Sequence, residues 1–206
     1  MGRPREFDET EVLDRALEVF WRRGFDGASI QDLVDATGLV RASLYGAFKD
    51  KDGLFRAALL HYRQRLGDAV GALPAGGSGL AWLRRMFAVS ADMAFARGGP
   101  RGCFVQLAAG QCSAERVATQ ALVDETVQYA EQLIVAALVR ADECGELVAE
   151  VSPAAEAKHL MLLLRGMAAS GRMGGDRADA EQVLSRVLVR LEKPRAAQAK
   201  RARRSA

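Results

Sequence analysis

The chain has 206 residues, half of them hydrophobic, with 29 basic and 26 acidic side chains and a formal net charge of +3. That length holds one large domain, or a small one beside a medium one, with enough apolar material for a sizeable core. No stretch approaches the ~18 apolar residues of a membrane span, and the polar start MGRPREFDET lacks an apolar signal-peptide core, so a cytoplasmic protein without membrane contact is expected.

The apolar residues recur at helical spacing, and no alternating strand pattern stands out, so the chain reads as all-α. Helix 1 is predicted over about Glu9–Arg23, with Asp8 as cap, Glu11 completing a capping-box pattern, and Gly24 as terminator. Leu13, Ala16, Leu17 and Phe20 form its apolar stripe. Helix 2 starts at the cap Ser29 with Asp32 three residues on, and Gly38 suits the positive φ of a tight turn. A short helix 3 follows over about Arg41–Ala47, anchored by Leu44 and Phe48. Helix 4 starts after Asp50 and runs to about Ala72, joining the head to the body. Five further helices are predicted at about 79–97, 103–111, 115–145, 154–172 and 177–192. Ser152-Pro153 is a strong start signal, a capping side chain followed by proline at the first helical position. About nine helices result. Residues 1–50 are predicted to be a helix-turn-helix DNA-binding domain, and 51–192 a helical effector-binding and dimerisation domain. Residues 193–206, with six basic and no acidic side chains, are expected to form a solvated basic tail.

Helices 2 and 3 carry the functional signal. Leu13, Leu17, Phe20, Phe25, Ile30, Leu33, Leu44 and Phe48 can form a small core that presents helix 3 to a DNA major groove. Ala42, Ser43, Gly46 and Ala47 are small, so the helix backbone can approach base edges closely. Arg41 can reach guanine O6 and N7, and Tyr45 and Lys51 are placed to donate to phosphates. Residues 41–65 also carry a basic stripe, with Arg41, Lys49, Lys51, Arg56, Arg63 and Arg65 against Asp50 and Asp52. The expected DNA-facing set is Ser29, Arg41, Ala42, Ser43, Tyr45, Gly46, Lys49 and Lys51.

The same segment resembles the N-terminal head of the TetR (tetracycline repressor) family. Phe20 and Gly24-Phe25 close helix 1, and Ser29-Ile30 and Asp32-Leu33 open helix 2. Gly38-Leu39, Ser43-Leu44-Tyr45 and the block from Phe48 to Phe55 complete the match over about 50 residues. The resemblance implies a homodimeric, ligand-responsive transcriptional regulator, most often a repressor of a palindromic double-stranded operator, with no cofactor. The chain departs from the pattern at Val40, where the family has a serine capping helix 3, so that cap must come from elsewhere or be lost. Val34 replaces the more usual alanine at the helix crossing, and Gly46-Ala47 replaces bulkier polar residues.

The body is read mainly from its own residues. Trp82, Met86, Phe87, Met93, Phe104 and Tyr129 are the bulky candidates for an effector pocket, with His159 as a polar member. Helices 8 and 9 are expected to form a four-helix dimer interface through Leu160, Leu163, Leu164 and Met167 on one and Leu184, Val187, Leu188 and Leu191 on the other. Cysteines 103, 112 and 144, odd in number and without CxxC spacing, argue against a disulfide framework or a structural zinc site. Cys103, at a helix start beside Arg101, supports an alternative reading as a thiol-based redox or electrophile sensor. A helical enzyme is the third reading. No HExxH, GxSxG, P-loop or GxGxxG constellation is present, and two histidines are a thin supply for acid–base chemistry.

Overall fold

The structure, a computed structural model, describes residues 7–74, 76–111, 116–148 and 151–194. Among these lie nine α-helices: α1 (Glu9–Gly27), α2 (Ile30–Thr37), α3 (Arg41–Phe48), α4 (Lys51–Val70), α5 (Gly79–Ala94), α6 (Phe104–Gln111), α7 (Val117–Glu143), α8 (Pro153–Arg172) and α9 (Arg177–Leu191). The extended structure among the described residues is one isolated antiparallel bridge, Leu147 with Glu192. The predicted starts hold where a side-chain cap is local: Asp8, Ser29, Ser152 and Asp176 each accept from a backbone N–H of the following turn. The capping box expected at Asp8 is only half made. Asp8 accepts from Thr10 and Glu11, but the Glu11 carboxylate pairs with Arg15 one turn on. Cys112 and the basic tail from residue 195 lie outside the described residues.

The chain forms two compact units. The first holds the described residues up to Gly67, with 98–100 and 104–126. In it α1 packs on α2 and α6, and α2 on α3. Its core is aromatic: Phe20, Phe55 and Phe104 are fully buried. Phe55 meets Phe20 edge-on at 5.0 Å and Phe104 at 5.3 Å, and Trp21 meets Tyr62 edge-on at 5.0 Å. Leu17, Leu33, Leu44 and Phe48 are buried as expected, while Leu13, Phe25 and Ile30 sit at its margin. Phe104, expected in an effector pocket, is a core residue of this unit, because α6 docks against α1 and inserts its first side chain among the rings.

Helix α1 does not simply stop at Arg23. Gly24 breaks it with φ 74° and ψ 178°, and a further helical turn follows to Gly27. A Cβ at Gly24 would meet the Gln111 side-chain amide, whose Oε1 accepts from Phe25 N at 2.8 Å. The break is therefore held by α6.

A polar clasp joins α1 to α4. His61 Nε2 lies 2.7 Å from Asp14 Oδ1, and Arg65 pairs with the same oxygen. Burial pushes the Asp14 carboxyl up, but the His61 hydrogen bond and the Arg65 charge outweigh it, leaving it below its usual 3.8. A lowered folded-state carboxylate stabilises above its unfolded value and loses that contribution as pH falls through the folded one. Asp14 is 43% exposed, so screening limits the effect. Asp14→Asn is expected to cost about 0.5–1 kcal/mol at neutral pH, with the gap from wild type closing below the usual aspartate range. Thermal melts at several pH values check this; a gap that widens in acid would contradict it.

The second unit holds 68–97, 101–103 and the described residues from 127 on. In it α5 packs on α8 and α9, and α8 on α9. Leu80, Leu83, Ile134, Leu138 and Leu160 are fully buried. Of the residues expected at a dimer interface, Leu160, Met167, Leu184, Leu188 and Leu191 are already buried within the single chain. They are this unit's core and cannot also meet a second copy. Leu163, Leu164 and Val187 are half-buried, and the large apolar residues of α8 and α9 left open are Leu162, Val183 and Val189. Of the expected effector residues, Trp82, Met86 and Phe87 are buried here and Met93 is half-buried. Trp82 Nε1 donates to Gly71 O at 2.9 Å. Tyr129 and His159 are surface residues: Tyr129 is 52% exposed, and His159 Nδ1 lies 2.8 Å from Glu156 on the outside of α8. Their open sides remove both from a pocket within this unit.

Candidate nucleic-acid interface

The geometry begins at Ser29. Its Oγ accepts from Asp32 N at 3.0 Å, and its own N–H and O–H donate to Asp32 Oδ2 at 2.9 and 2.8 Å. The backbone bond from Ser29 and then its hydroxyl hold the Asp32 carboxyl below the usual range. Ser29 is exposed, but its polar atoms serve the capping box that fixes where α2 starts. Helix α2 closes with Gly38 at φ 72°, ψ 4°, whose N–H donates to Val34 O at 2.9 Å.

Helix α3 then starts without a side-chain cap, as Val40 implies. Only the Val40 carbonyl serves its first turn, accepting from Ser43 N and Leu44 N at 2.9 and 3.1 Å. An uncapped first turn leaves backbone N–H groups available to an anion such as a DNA phosphate. Leu44 and Phe48 are buried and fix one edge of α3 on the core. The opposite face is open: Arg41, Ala42, Tyr45, Gly46 and Lys49 are exposed, and Ser43 and Ala47 are intermediate. A Cβ at Gly46 would meet nothing within 4 Å, so no intramolecular packing requires a glycine there. Arg41 makes no ion pair or hydrogen bond with another side chain among the described residues.

The exit of α3 is strained. Lys49 has φ 71° and ψ −55°, and Asp50 N donates to Phe48 O at 2.9 Å across it. This is a γ-turn of the uncommon positive-φ kind. Lys49 is the described residue other than glycine with positive φ, and such strain persists only where the surroundings over-determine it. Lys49→Gly is expected to raise stability by about 0.5–1 kcal/mol while weakening DNA binding through loss of one cation. Melting and DNA titration of the same variant check it; a destabilised variant would mean that the turn is not strained.

Asp50 restarts the chain as a helix, with its Oδ1 accepting from Gly53 N at 2.6 Å. Lys51 follows, and here the expectation of a simply exposed cation needs correcting. Lys51 is half-buried, with Nζ 4.4 Å from the centroid of Phe25. Burial lowers its pKa, the nearby Asp26 charge raises it, and Arg116 lowers it further. An ammonium so placed, without an ion pair among the described residues, gains from an incoming phosphate.

Several residues at this corner escaped sequence reasoning. Arg116 stacks on Phe25 at 3.5 Å and bonds Asp52, and Thr119 donates to Asp52 as well. No local pattern announces these pairs, because the partners lie 64 and 67 residues apart. The potential ligands His, Cys, Asp and Glu form no metal-binding cluster among the described residues. No helix among them is long and apolar enough to cross a membrane.

Comparison with known proteins points the same way. The family model described as "Bacterial regulatory proteins, tetR family" matches residues 12–58. The HTH-type transcriptional repressor ComR of Escherichia coli is 47% identical over 64 residues, 31% of this chain and 30% of that protein. The uncharacterised HTH-type regulator YezE of Bacillus subtilis is 44% identical over 70 residues, 34% of this chain and 36% of that protein. These matches thus span about a third of the curated relatives' own length. The structural likeness extends much further. A cysteine-substituted variant of the TetR family transcriptional regulator CifR, solved with double-strand operator DNA, superposes with a TM-score of 0.78 at 30% identity. That match covers 90% of this chain and 98% of CifR. A TetR family regulator from Agrobacterium tumefaciens superposes with a TM-score of 0.77 at 24% identity, covering 89% and 96% of the two chains, which speaks for the fold.

Proposed function

We infer the task of this chain from one premise: it belongs to the tetR family of bacterial regulatory proteins, and is a DNA-binding transcriptional regulator rather than an enzyme. It acts as a repressor, holding a palindromic double-stranded operator as a homodimer and releasing it when a small-molecule effector binds. The observation that carries this is the open face of α3, with Arg41, Tyr45 and Lys49 presented beside an uncapped first turn while Leu44 and Phe48 anchor the other edge. Arg41, Ala42, Ser43 and Gly46 read the major groove, and Tyr45, Lys49 and Lys51 take phosphates. The DNA-reading role is assigned to the residues up to about 50, and effector binding and dimerisation to the helices beyond, with α4 joining the two. In a dimer two such helices must lie ~34–36 Å apart to enter successive major grooves.

The test is enrichment of duplexes from a random-sequence pool, followed by affinity measurement in excess non-specific DNA. A palindromic product bound more tightly than random duplex by about a thousand-fold or more supports the reading. Binding without sequence preference sinks it.

Trp82, Met86, Phe87 and Met93 give the second unit an apolar interior that suits an apolar or amphipathic ligand. Such a ligand alters DNA affinity only through a difference in its affinity for the two states, and operator DNA must then weaken ligand binding by the same factor. Titrating a ligand with and without operator tests this; equal affinities would show that its site does not communicate with the DNA.

A second reading rests on Cys103, which is half-buried, lies immediately before the first residue of α6 and forms no disulfide. A thiol there could sense oxidants or electrophiles. Peroxide-sensitive DNA binding, lost in Cys103→Ser, would favour it over an apolar effector.

A further inference from the structure

Partly buried polar contacts of the first unit converge on the start of α4. Asp52, in its first turn, accepts from Arg116 Nε at 2.9 Å and from Thr119 Oγ1 at 2.8 Å, and also pairs with Arg56. The Arg116 side chain is only 11% exposed. Its guanidinium lies 3.5 Å from the Phe25 centroid and 4.7 Å from that of Phe55, and Nη1 lies 3.5 Å from Gln111 O. Nη2 is buried without a hydrogen-bond partner among the described residues. Burying a guanidinium in this way is costly, and an apolar side chain of similar volume would often be at least as stabilising. Stability alone is therefore a poor account of the arginine.

Its contacts say what it holds. Asp52 lies three residues after the strained Lys49, so the anchor at Asp52 helps to over-determine the turn that leaves α3. Phe25, on which Arg116 stacks, is also the ring under the Lys51 ammonium. We propose that Arg116, at the threshold of α7, is a positioning residue for DNA binding: through Asp52 and Phe25 it fixes the exit of α3 and holds Lys51 where a phosphate meets it. The proposal rests on the DNA-binding reading above. A purely structural Arg116 would change the melting temperature but not the number of phosphates engaged.

The experiment uses the full chain and the duplex that wild type enriches from a random-sequence pool. Dissociation constants are measured over a range of salt for wild type, Arg116→Met, Lys51→Ala and the double variant, with a melting curve for each. Arg116→Met is expected to bind about ten-fold more weakly, with the slope of log affinity against log salt shallower by about one, as if the Lys51 contact were lost. The double variant should be little weaker than the weaker single one, because both changes remove the same contact. Arg116→Lys should not restore binding, since an ammonium cannot lie flat on Phe25 while donating from Nε to Asp52. Wild-type affinity in Arg116→Met, or a loss with unchanged slope that adds in full to that of Lys51→Ala, overturns the proposal. If Arg116→Met does not fold, the near-isosteric Asp52→Asn is read against the same criteria; failure of both to fold shows a structural role and overturns it too. If wild type itself enriches no duplex, it is the DNA-binding reading that has failed.

Discussion

Leu162→Arg is expected to split the proposed homodimer into folded monomers, whereas Leu188→Arg is expected to unfold the chain. Both positions are leucines on terminal helices, and their surroundings separate them. Leu188 is 4% exposed and packed in the core of the second unit, so a charge there is buried without a partner. Such changes cost several kcal/mol, a large part of a domain's total stability. Leu162 is 63% exposed in the single chain. With Ala155, His159, Gly166, Ala169 and the cap residue Met173, all exposed, it forms a stripe of α8 at helical spacing, flanked on one side by the exposed Lys158 and Arg165. The small residues at 155, 166 and 169 let another helix approach closely. A second copy covering this face would bury the arginine at the interface, again at several kcal/mol, while the isolated chain would leave it in water. Light scattering and circular dichroism on both variants separate the outcomes. A Leu162→Arg dimer as tight as wild type would move the interface elsewhere, and a folded Leu188→Arg protein would contradict the core assignment.

Arg41→Ala is expected to weaken operator binding by about 1–3 kcal/mol and to relax the base preference at one position of each half-site. Its side chain is exposed at the first turn of α3 and has no side-chain partner to lose, so the unfolding free energy should stay within about half a kcal/mol of wild type. Tyr45→Phe is the milder companion. Tyr45 is 39% exposed, and the change removes one hydroxyl donor, for a loss of about 1 kcal/mol spread evenly over sequences. The pair distinguishes base reading from phosphate contact within one helix. Selection of bound duplexes with each variant reads both effects. An Arg41→Ala protein with the specificity and affinity of wild type would remove α3 from the major groove.

What the sequence alone determined is whatever is decided within a few residues. Helix starts at Asp8, Ser29 and Ser152-Pro153 could be read because a capping oxygen reaches only the next turn. The turn at Gly38 was legible because positive φ selects glycine locally. The open face of α3 was legible too, since small and polar residues there cannot build a core. Tertiary structure decided which face of α8 is which. Residues 160–164 read Leu-Met-Leu-Leu-Leu, apolar all round the helix, so periodicity could not tell core from interface until tertiary packing buried Leu160 and left Leu162 open. It also decided the fate of Phe104, whose apolar ring suits a pocket or a core equally well until α6 is seen against α1. Last, it decided the Arg116–Asp52 anchor: a charge pair 64 residues apart leaves no periodic trace, because only the folded backbone brings its partners together.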